Sequence, residues 1–393
     1  MSVFTTRRGL LGGGLFGVWP LSRLAAATHK PARIYEQLGI RPVINFTGTH
    51  TTLGASKIWP ELHDAMAEAS REYVVLEEVQ EKIGERLARL IGTEAAMVTT
   101  GAAGAITLGT CAALAGDDVA KVRRLPDLTG MKSEVIIQKA HRNGYDHAVR
   151  NTGVRIVEVN TREELDRAAG PQTAMLYFLG GSSHDWEYET PVSLDECLAA
   201  GRRAGFPVLV DAANMLPPWD NLRKLAAQRV DLICISGGKH MRGPQCSGIL
   251  AGRKDLVRAA WLNSSPHSDS LGRPMKVGRE EMIGVWLAAE KYAKLDFDAI
   301  DRQCDQQAAY LMREFGKLGL RPERTPFDRT RRVHRVRVEW DAKLTPADAS
   351  RRLRDGDPRV MVQTTRKGLE FTVFMNEPGD EKIAVRRMKE IFG

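Results

Sequence analysis

The chain has 393 residues, of which 43% are hydrophobic and 27% charged, and this length and composition predict a globular protein with one large and one smaller domain. Its formal net charge of +8 is compatible with a nucleic-acid partner. However, no basic run is interleaved with aromatic residues, so we expect no nucleic acid.

The first 27 residues have the pattern of a twin-arginine signal peptide. Arg7 and Arg8 precede a short, glycine-rich and weakly apolar stretch, and three alanines at 25–27 supply a small-residue cleavage site. We therefore predict recognition by the twin-arginine export machinery and a periplasmic or otherwise exported protein. The alternatives are a disordered cytosolic extension or an uncleaved anchor.

The five cysteines include no C-x-x-C pair and are odd in number, which is typical neither of a zinc site nor of a disulfide framework. We predict buried thiols and no metal site. The cysteines are Cys111, Cys197, Cys234, Cys246 and Cys304.

Seven short apolar runs alternate with helix-like segments between residues 95 and 252. Most are continuously apolar, as expected for a parallel sheet covered on both faces. We therefore predict an α/β fold with a seven-stranded, mostly parallel sheet in a large domain over 61–295, after an N-terminal arm over 28–60. The polar stretch 117–133 is predicted to be an exposed loop. The runs are 95–100, 134–139, 154–159, 173–178, 207–211, 231–236 and 247–252.

The last hundred residues have a different pattern. Two helical stretches are followed by the alternating run "RRVHRVRVEW", a further helix, a hairpin around Arg366-Lys367-Gly368 and a closing helix. This pattern predicts a small C-terminal α+β domain over 296–393.

Ligands of open α/β sheets bind at the carboxyl ends of the strands, and three features stand there. Gly101, Ala102 and Ala103 follow one strand and open a helix, where bare N–H groups hold a phosphate. Taken alone, this stretch is equally a plain tight connection. Asp211 and Lys239 follow two other strands. Considered alone, Asp211 is more typical of a carboxylate that caps the following segment, and Lys239 of a solvated surface charge.

Together these three features match the requirements of pyridoxal 5′-phosphate. A lysine amine forms a Schiff base with its aldehyde, a carboxylate pairs with its ring nitrogen, and helix N–H groups hold its phosphate. We expect Gly237 and Gly238 to let the backbone approach the flat ring.

Five stretches carry a family resemblance. They are "RPVINFTGTHTTLGAS", "IIQKAHRNGYDHAVRNTGVRIVEV", "VLVDAANMLPP", "ISGGKHMRGPQCSGILAGRKDL" and "GRPMKVGREEMIGVWLAAEKY". They resemble the selenocysteine synthase-like (L-seryl-tRNA selenium transferase-like) group of fold-type I pyridoxal phosphate enzymes, in particular the branch that includes D-glucosaminate-6-phosphate ammonia lyase. The resemblance implies the aspartate aminotransferase-like transferase fold.

It also implies roles for individual residues. Lys239 would carry the Schiff base, Asp211 would pair with the ring nitrogen, and the phosphate would contact Gly101, Ala102, Ala103 and Ser236. His141 is expected over the cofactor ring, where an imidazole can stack and exchange protons, or else it is a buried structural histidine. Arg242 either binds a substrate carboxylate or holds its own loop. His50 and Lys276 are further candidates for substrate binding, and Lys276 for a neighbouring subunit's site.

Three departures from the family pattern leave the substrate open. Residues 180–194 are longer and more polar than expected, His50 replaces an apolar residue, and Arg279 replaces a lysine.

We predict an enzyme that removes the Cα proton of an amino acid or amino sugar acid. The resemblance favours an ammonia lyase; a racemase or epimerase and an aldolase are alternatives on the same cofactor. A tRNA-binding selenium transferase-like protein and a non-catalytic cofactor-binding protein are alternatives of other classes. We expect at least a homodimer, by analogy with fold-type I enzymes.

Overall fold

A computed structural model describes residues 32–181, 190–325, 332–341 and 343–393 of the chain. The predicted signal peptide lies outside these residues, as does most of the 180–194 stretch. Helix α1 (Ala32–Gln37) precedes Val43, where a second compact unit begins that extends to Gly393. No helix of the described residues combines the length and apolar character that a membrane crossing requires.

All seven predicted runs form strands of one seven-stranded sheet. Its order is β2-β8-β7-β6-β5-β3-β4, and β8 runs in the direction opposite to that of the other six strands. The predicted α/β fold with a mostly parallel sheet is therefore confirmed. The strands are β2 (Ala95–Thr100), β3 (Glu134–Gln138), β4 (Arg155–Val159), β5 (Thr173–Leu179), β6 (Val208–Asp211), β7 (Leu232–Ser236) and β8 (Ser247–Gly252).

Helices cover both faces of this sheet, which explains why the strand sequences are continuously apolar. Every residue of β5 is buried, for example. One apolar cluster contains side chains from α2, α3, α7, α8, α9 and α11, and the cluster on the other face contains side chains from α4, α5, α6 and α10. These helices are α2 (Glu61–Ala69), α3 (Leu76–Ile91), α4 (Gly101–Ala115), α5 (Val119–Arg124), α6 (His147–Arg150), α7 (Arg162–Ala168), α8 (Leu194–Ala204), α9 (Asp220–Ala227), α10 (Lys254–Leu262) and α11 (Arg279–Tyr292).

Two local predictions are wrong. The stretch 117–133 contains the helix α5, because the Asp118 side chain accepts the N–H groups of Ala120 and Lys121 and Val122 is buried. Four of the cysteines are buried thiols, but Cys246 is exposed on the loop between β7 and β8.

The C-terminal residues form a four-stranded antiparallel sheet with the order β12-β13-β10-β9, together with three helices. Strand β1 (Val43–Asn45) pairs in parallel with β11 (Arg359–Met361), and Phe46 lies in the apolar cluster of this region. Residues of the predicted N-terminal arm thus pack with the C-terminal residues. The remaining elements are α12 (Phe297–Gly316), β9 (Arg321–Arg324), β10 (Arg335–Glu339), α13 (Pro346–Asp355), β12 (Gln363–Thr364), β13 (Gly368–Thr372) and α14 (Asp380–Phe392).

Candidate active site

Lys239 stands on the loop that follows β7, and its side chain is half-buried. Its Nζ donates a hydrogen bond to Oδ1 of Asn214 over 2.6 Å. Burial lowers the pKa of the Lys239 ammonium below its ordinary value, and the nearby charge of Asp211 opposes that shift. A lowered pKa increases the fraction of neutral amine, which is the form that attacks a carbonyl and accepts a proton.

The two glycines before Lys239 are required by the protein's own packing. A Cβ on Gly238 would lie 2.5 Å from Cα of Gln245, and one on Gly237 would lie 2.3 Å from Oγ of Ser247. The sequence suggested that these glycines let the backbone approach a ring. The contacts within the protein are a different explanation for glycine at both positions. They allow the loop to fold back on itself, and the turn presents Lys239.

Asp211 ends β6, and its residue is only 5% exposed. Its Oδ1 accepts the N–H of Ala213 over 3.0 Å, and its Oδ2 accepts the hydroxyl of Tyr177 over 2.8 Å. Both oxygens of this buried carboxylate therefore accept a hydrogen bond. The arrangement suits a carboxylate that pairs with a protonated ring nitrogen.

The helix α4 begins directly after β2 without a side-chain cap from Thr100. Gly101 has a φ of +64°, and a Cβ built there would meet nothing within 4 Å, so space remains beside the first turn. Because the first N–H groups of a helix lack partners within it, this turn can bind a phosphate. Ala103 is exposed there, and Sγ of Cys234 donates to the carbonyl oxygen of Ala102 over 3.1 Å.

His141 lies in a short turn after β3 and is fully buried. Its Nδ1 accepts the N–H of Leu179 over 3.2 Å, and its ring packs edge-on against Phe178 with 4.7 Å between centroids. Burial lowers the pKa of the imidazole to about 4, so the ring is neutral at pH 7. A neutral ring favours stacking on a cofactor over proton exchange near pH 7.

The sheet register brings these groups together. Leu179, which contacts His141, pairs with Asp211, and Asp211 pairs with Cys234. Ser236 pairs with Gly248, where an added Cβ would lie 2.3 Å from the backbone of Gly101.

The predicted substrate-binding residues lie on surrounding segments. The Nε of Arg242 donates to the carbonyl of Lys57 over 2.8 Å, and its guanidinium lies 4.1 Å from the ring centroid of Trp59. The contact that holds its own loop is therefore present, and carboxylate binding stays a prediction. His50 is exposed beside Gln363, with 2.9 Å between the two Nε2 atoms.

Two further residues have backbone partners. The carbonyl of Lys276 accepts the hydroxyl of Thr100 over 3.3 Å, which places this exposed lysine beside the start of α4. Arg279 donates to the carbonyls of Ala69 and Ser70, so it caps the end of α2.

The residues present fit pyridoxal phosphate. The uncapped first turn of α4 can hold its phosphate, the buried Asp211 can pair with its ring nitrogen, and the Lys239 amine can bind its aldehyde. Fold and site together define a pyridoxal phosphate enzyme of fold type I. The chain belongs to the L-seryl-tRNA selenium transferase family, whose family model matches residues 43–266.

Relatives of known activity differ in the reaction they catalyse. The chain is 30% identical to D-glucosaminate-6-phosphate ammonia lyase of Salmonella typhimurium, over 91% of this chain and 97% of the relative. It is 31% identical to a 5′-C-glycyluridine monooxygenase-decarboxylase of a Streptomyces species, over 91% of each chain. The match to L-seryl-tRNA(Sec) selenium transferase of Moorella thermoacetica, at 30% identity, covers 57% of this chain and 52% of that enzyme.

Solved structures agree with this assignment. A D-glucosaminate-6-phosphate ammonia-lyase superimposes with a TM-score of 0.80 at 29% identity, over 91% of this chain and 97% of that one. A serine palmitoyltransferase from S. paucimobilis with bound PLP shares the fold at 14% identity, with a TM-score of 0.57 and coverage of 89% and 88%.

The sequence alone did not identify Asn214 or Tyr177. Asn214 is one residue of the motif around Asp211, and Tyr177 is one residue of an otherwise apolar run that predicts a buried strand. A polar residue three positions after a strand-end carboxylate is a usable signal for Asn214. The local sequence contains no such signal for Tyr177.

Proposed function

We propose that the protein is an ammonia lyase that acts on an amino acid or amino sugar acid. The observation that carries this proposal is the juxtaposition of the Lys239 amine, 2.6 Å from Asn214, with the buried carboxylate of Asp211. The choice of a lyase rests on the similarity to D-glucosaminate-6-phosphate ammonia lyase over almost the whole of both chains.

Each residue has a defined task in this reaction. When bound, pyridoxal phosphate supplies an aldehyde for the substrate amine and a protonated ring that withdraws electrons from Cα. Lys239 takes the Cα proton, for which its lowered pKa makes it suitable, and Asn214 orients Nζ. Asp211 would keep the ring nitrogen protonated, and the imidazole of His141, which is neutral at pH 7, would be suited to stack on the cofactor.

The test is product analysis with the purified enzyme on a panel of D- and L-amino acids and 2-amino sugar acids. From a substrate with a β-hydroxyl, a lyase releases ammonia and a 2-keto acid in equal amounts, because the β-hydroxyl leaves as water after the Cα proton is removed and a water molecule then hydrolyses the resulting imine. Inversion of the stereocentre without ammonia would identify a racemase or epimerase, and release of glycine with an aldehyde would identify an aldolase. Either result would contradict the proposal.

A matched pair of variants assigns the chemistry to the site. Lys239→Ala should lower turnover by about 1,000-fold or more, because both the covalent anchor and the base are lost. Lys224→Ala, which removes an exposed lysine on α9, should leave turnover unchanged.

A second candidate follows from the similarity to the monooxygenase-decarboxylase. This reaction would consume oxygen and release carbon dioxide from a substrate bound in the same site. An oxygen electrode separates the two candidates, because an ammonia lyase consumes no oxygen.

We also propose that the enzyme is exported through its twin-arginine signal and that it forms at least a homodimer. The N-terminal motif and the analogy with fold-type I enzymes support these two proposals. Export speaks against a tRNA substrate, which is a cytosolic molecule.

A further inference from the structure

The hydroxyl of Tyr177 lies inside the large sheet and reaches the carboxylate of Asp211. Tyr177 is fully buried on β5 and pairs with Leu209, which is two residues before Asp211 on β6. Because alternate residues of a strand share a face, the phenol ring extends along the same face that carries the Asp211 side chain. Its hydroxyl donates to Oδ2 over 2.8 Å.

The surroundings of Tyr177 are apolar. The ring belongs to the cluster that also contains Leu209, Leu232 and Leu250, where a phenylalanine would pack as well. A hydroxyl in such a place costs free energy unless it is hydrogen-bonded. The bond to Asp211 therefore accounts for a tyrosine at this position.

From this geometry we propose that Tyr177 is a positioning residue for the carboxylate that binds the cofactor's ring nitrogen. One oxygen of Asp211 accepts the backbone N–H of Ala213, and the other accepts the side-chain hydroxyl of Tyr177, which is fully buried on β5. These two bonds fix the plane of the carboxylate. Each oxygen keeps a further lone pair that would be available to the ring nitrogen of a bound cofactor.

The first experiment measures the dissociation constant of pyridoxal phosphate from Tyr177→Phe, which keeps the ring and removes only the hydroxyl. Hydrogen bonds to charged groups are strong, so we expect binding about 10-fold or more weaker than in the wild type. The pH dependence of the visible absorbance of the bound cofactor should also change, because Asp211 then holds the ring nitrogen less firmly.

Tyr292→Phe is the matched control. Tyr292 is also buried, 1% exposed, and its hydroxyl makes no hydrogen bond within the described ranges. It packs between Trp219 and Phe297, in the apolar cluster on the face of the sheet opposite to the cluster of Tyr177. Cofactor affinity should therefore be unchanged in this variant.

A cofactor analogue separates positioning from packing. An analogue with carbon in place of the ring nitrogen cannot pair with Asp211, so wild type and Tyr177→Phe should bind it equally well. Similarly, Tyr177→Phe should have no further effect in an Asp211→Asn background, where the charged acceptor is absent. An equal loss of affinity for both cofactors, or no loss for pyridoxal phosphate, overturns the proposal. Neither result depends on which substrate the enzyme uses.

Discussion

Within the proposed site, burial changes the pKa of His141. The ordinary imidazole pKa is 6.5, and burial lowers that of His141 to about 4. Between these two values the unfolded chain binds a proton that the folded protein excludes. His141 therefore lowers the free energy of unfolding progressively as pH falls from about 6.5 to about 4. Below that range its effect stays constant.

This linkage predicts a measurable effect of His141→Asn, whose side-chain oxygen can still accept the N–H of Leu179. In the cofactor-free protein, the free energy of unfolding of the variant should fall less steeply between pH 6.5 and 4 than that of the wild type. The difference should reach at most about 3 kcal/mol. Urea titrations at a series of pH values measure it. The exposed His63, replaced in His63→Gln, is the control, and curves that are parallel for His141→Asn and wild type would refute the argument.

At this scale the sequence predicts the residues whose position follows from a strand end. Asp211 ends one apolar run, and Lys239 follows another after two glycines, so their placement needed only the rule about carboxyl ends. Tyr177 and Asn214 act on partners 34 and 25 residues away in the chain. Their contacts depend on strand register and loop course, which local patterns do not specify.

At the scale of elements, the loop between β7 and β8 is held in place by packing against distant residues. Oγ of Ser56 donates to the carbonyl of Gly238, and Nε1 of Trp59 donates to that of Met241. Arg242 has a φ of +58°, a left-handed conformation that is uncommon outside glycine. The position of Lys239 therefore depends on the whole loop.

Gly238→Ala tests this dependence. The added Cβ would lie 2.5 Å from Cα of Gln245, so backbone must move, at a cost of about 1–3 kcal/mol in the free energy of unfolding. Because Lys239 is the next residue, cofactor retention after gel filtration should fall as well. Both quantities are measured on the same preparation.

Gly316→Ala provides the comparison. Gly316 ends α12, and a Cβ there meets nothing within 4 Å. Alanine is the better helix former by about 0.5–1 kcal/mol, so this variant should be slightly stabilised and should retain its cofactor. If both glycine variants behave alike, the tight packing of the Gly238 loop does not explain the position of Lys239.

For the molecule as a whole, the sequence predicted the seven strands and the C-terminal helices, because hydrophobic periodicity is a local property. It did not predict that β1 pairs with β11 or that Phe46 packs 5.6 Å from Phe371, measured between ring centroids. These partners are more than 300 residues apart, and β1 has only three residues. Such a pairing is decided by the assembled core, which a local pattern does not describe.

Export is the property of the whole chain that the N-terminal residues predict. Twin-arginine export carries folded proteins, which suits an enzyme that receives its cofactor in the cytosol. In cells with a functional twin-arginine system, Arg7→Lys combined with Arg8→Lys should lower the periplasmic fraction of the protein by about 10-fold or more, because the paired arginines are the proposed recognition signal. Arg23→Lys, outside the pair, should leave that fraction unchanged. Immunoblots of periplasmic and cytosolic fractions measure both, and undiminished export of the double variant would exclude the twin-arginine route.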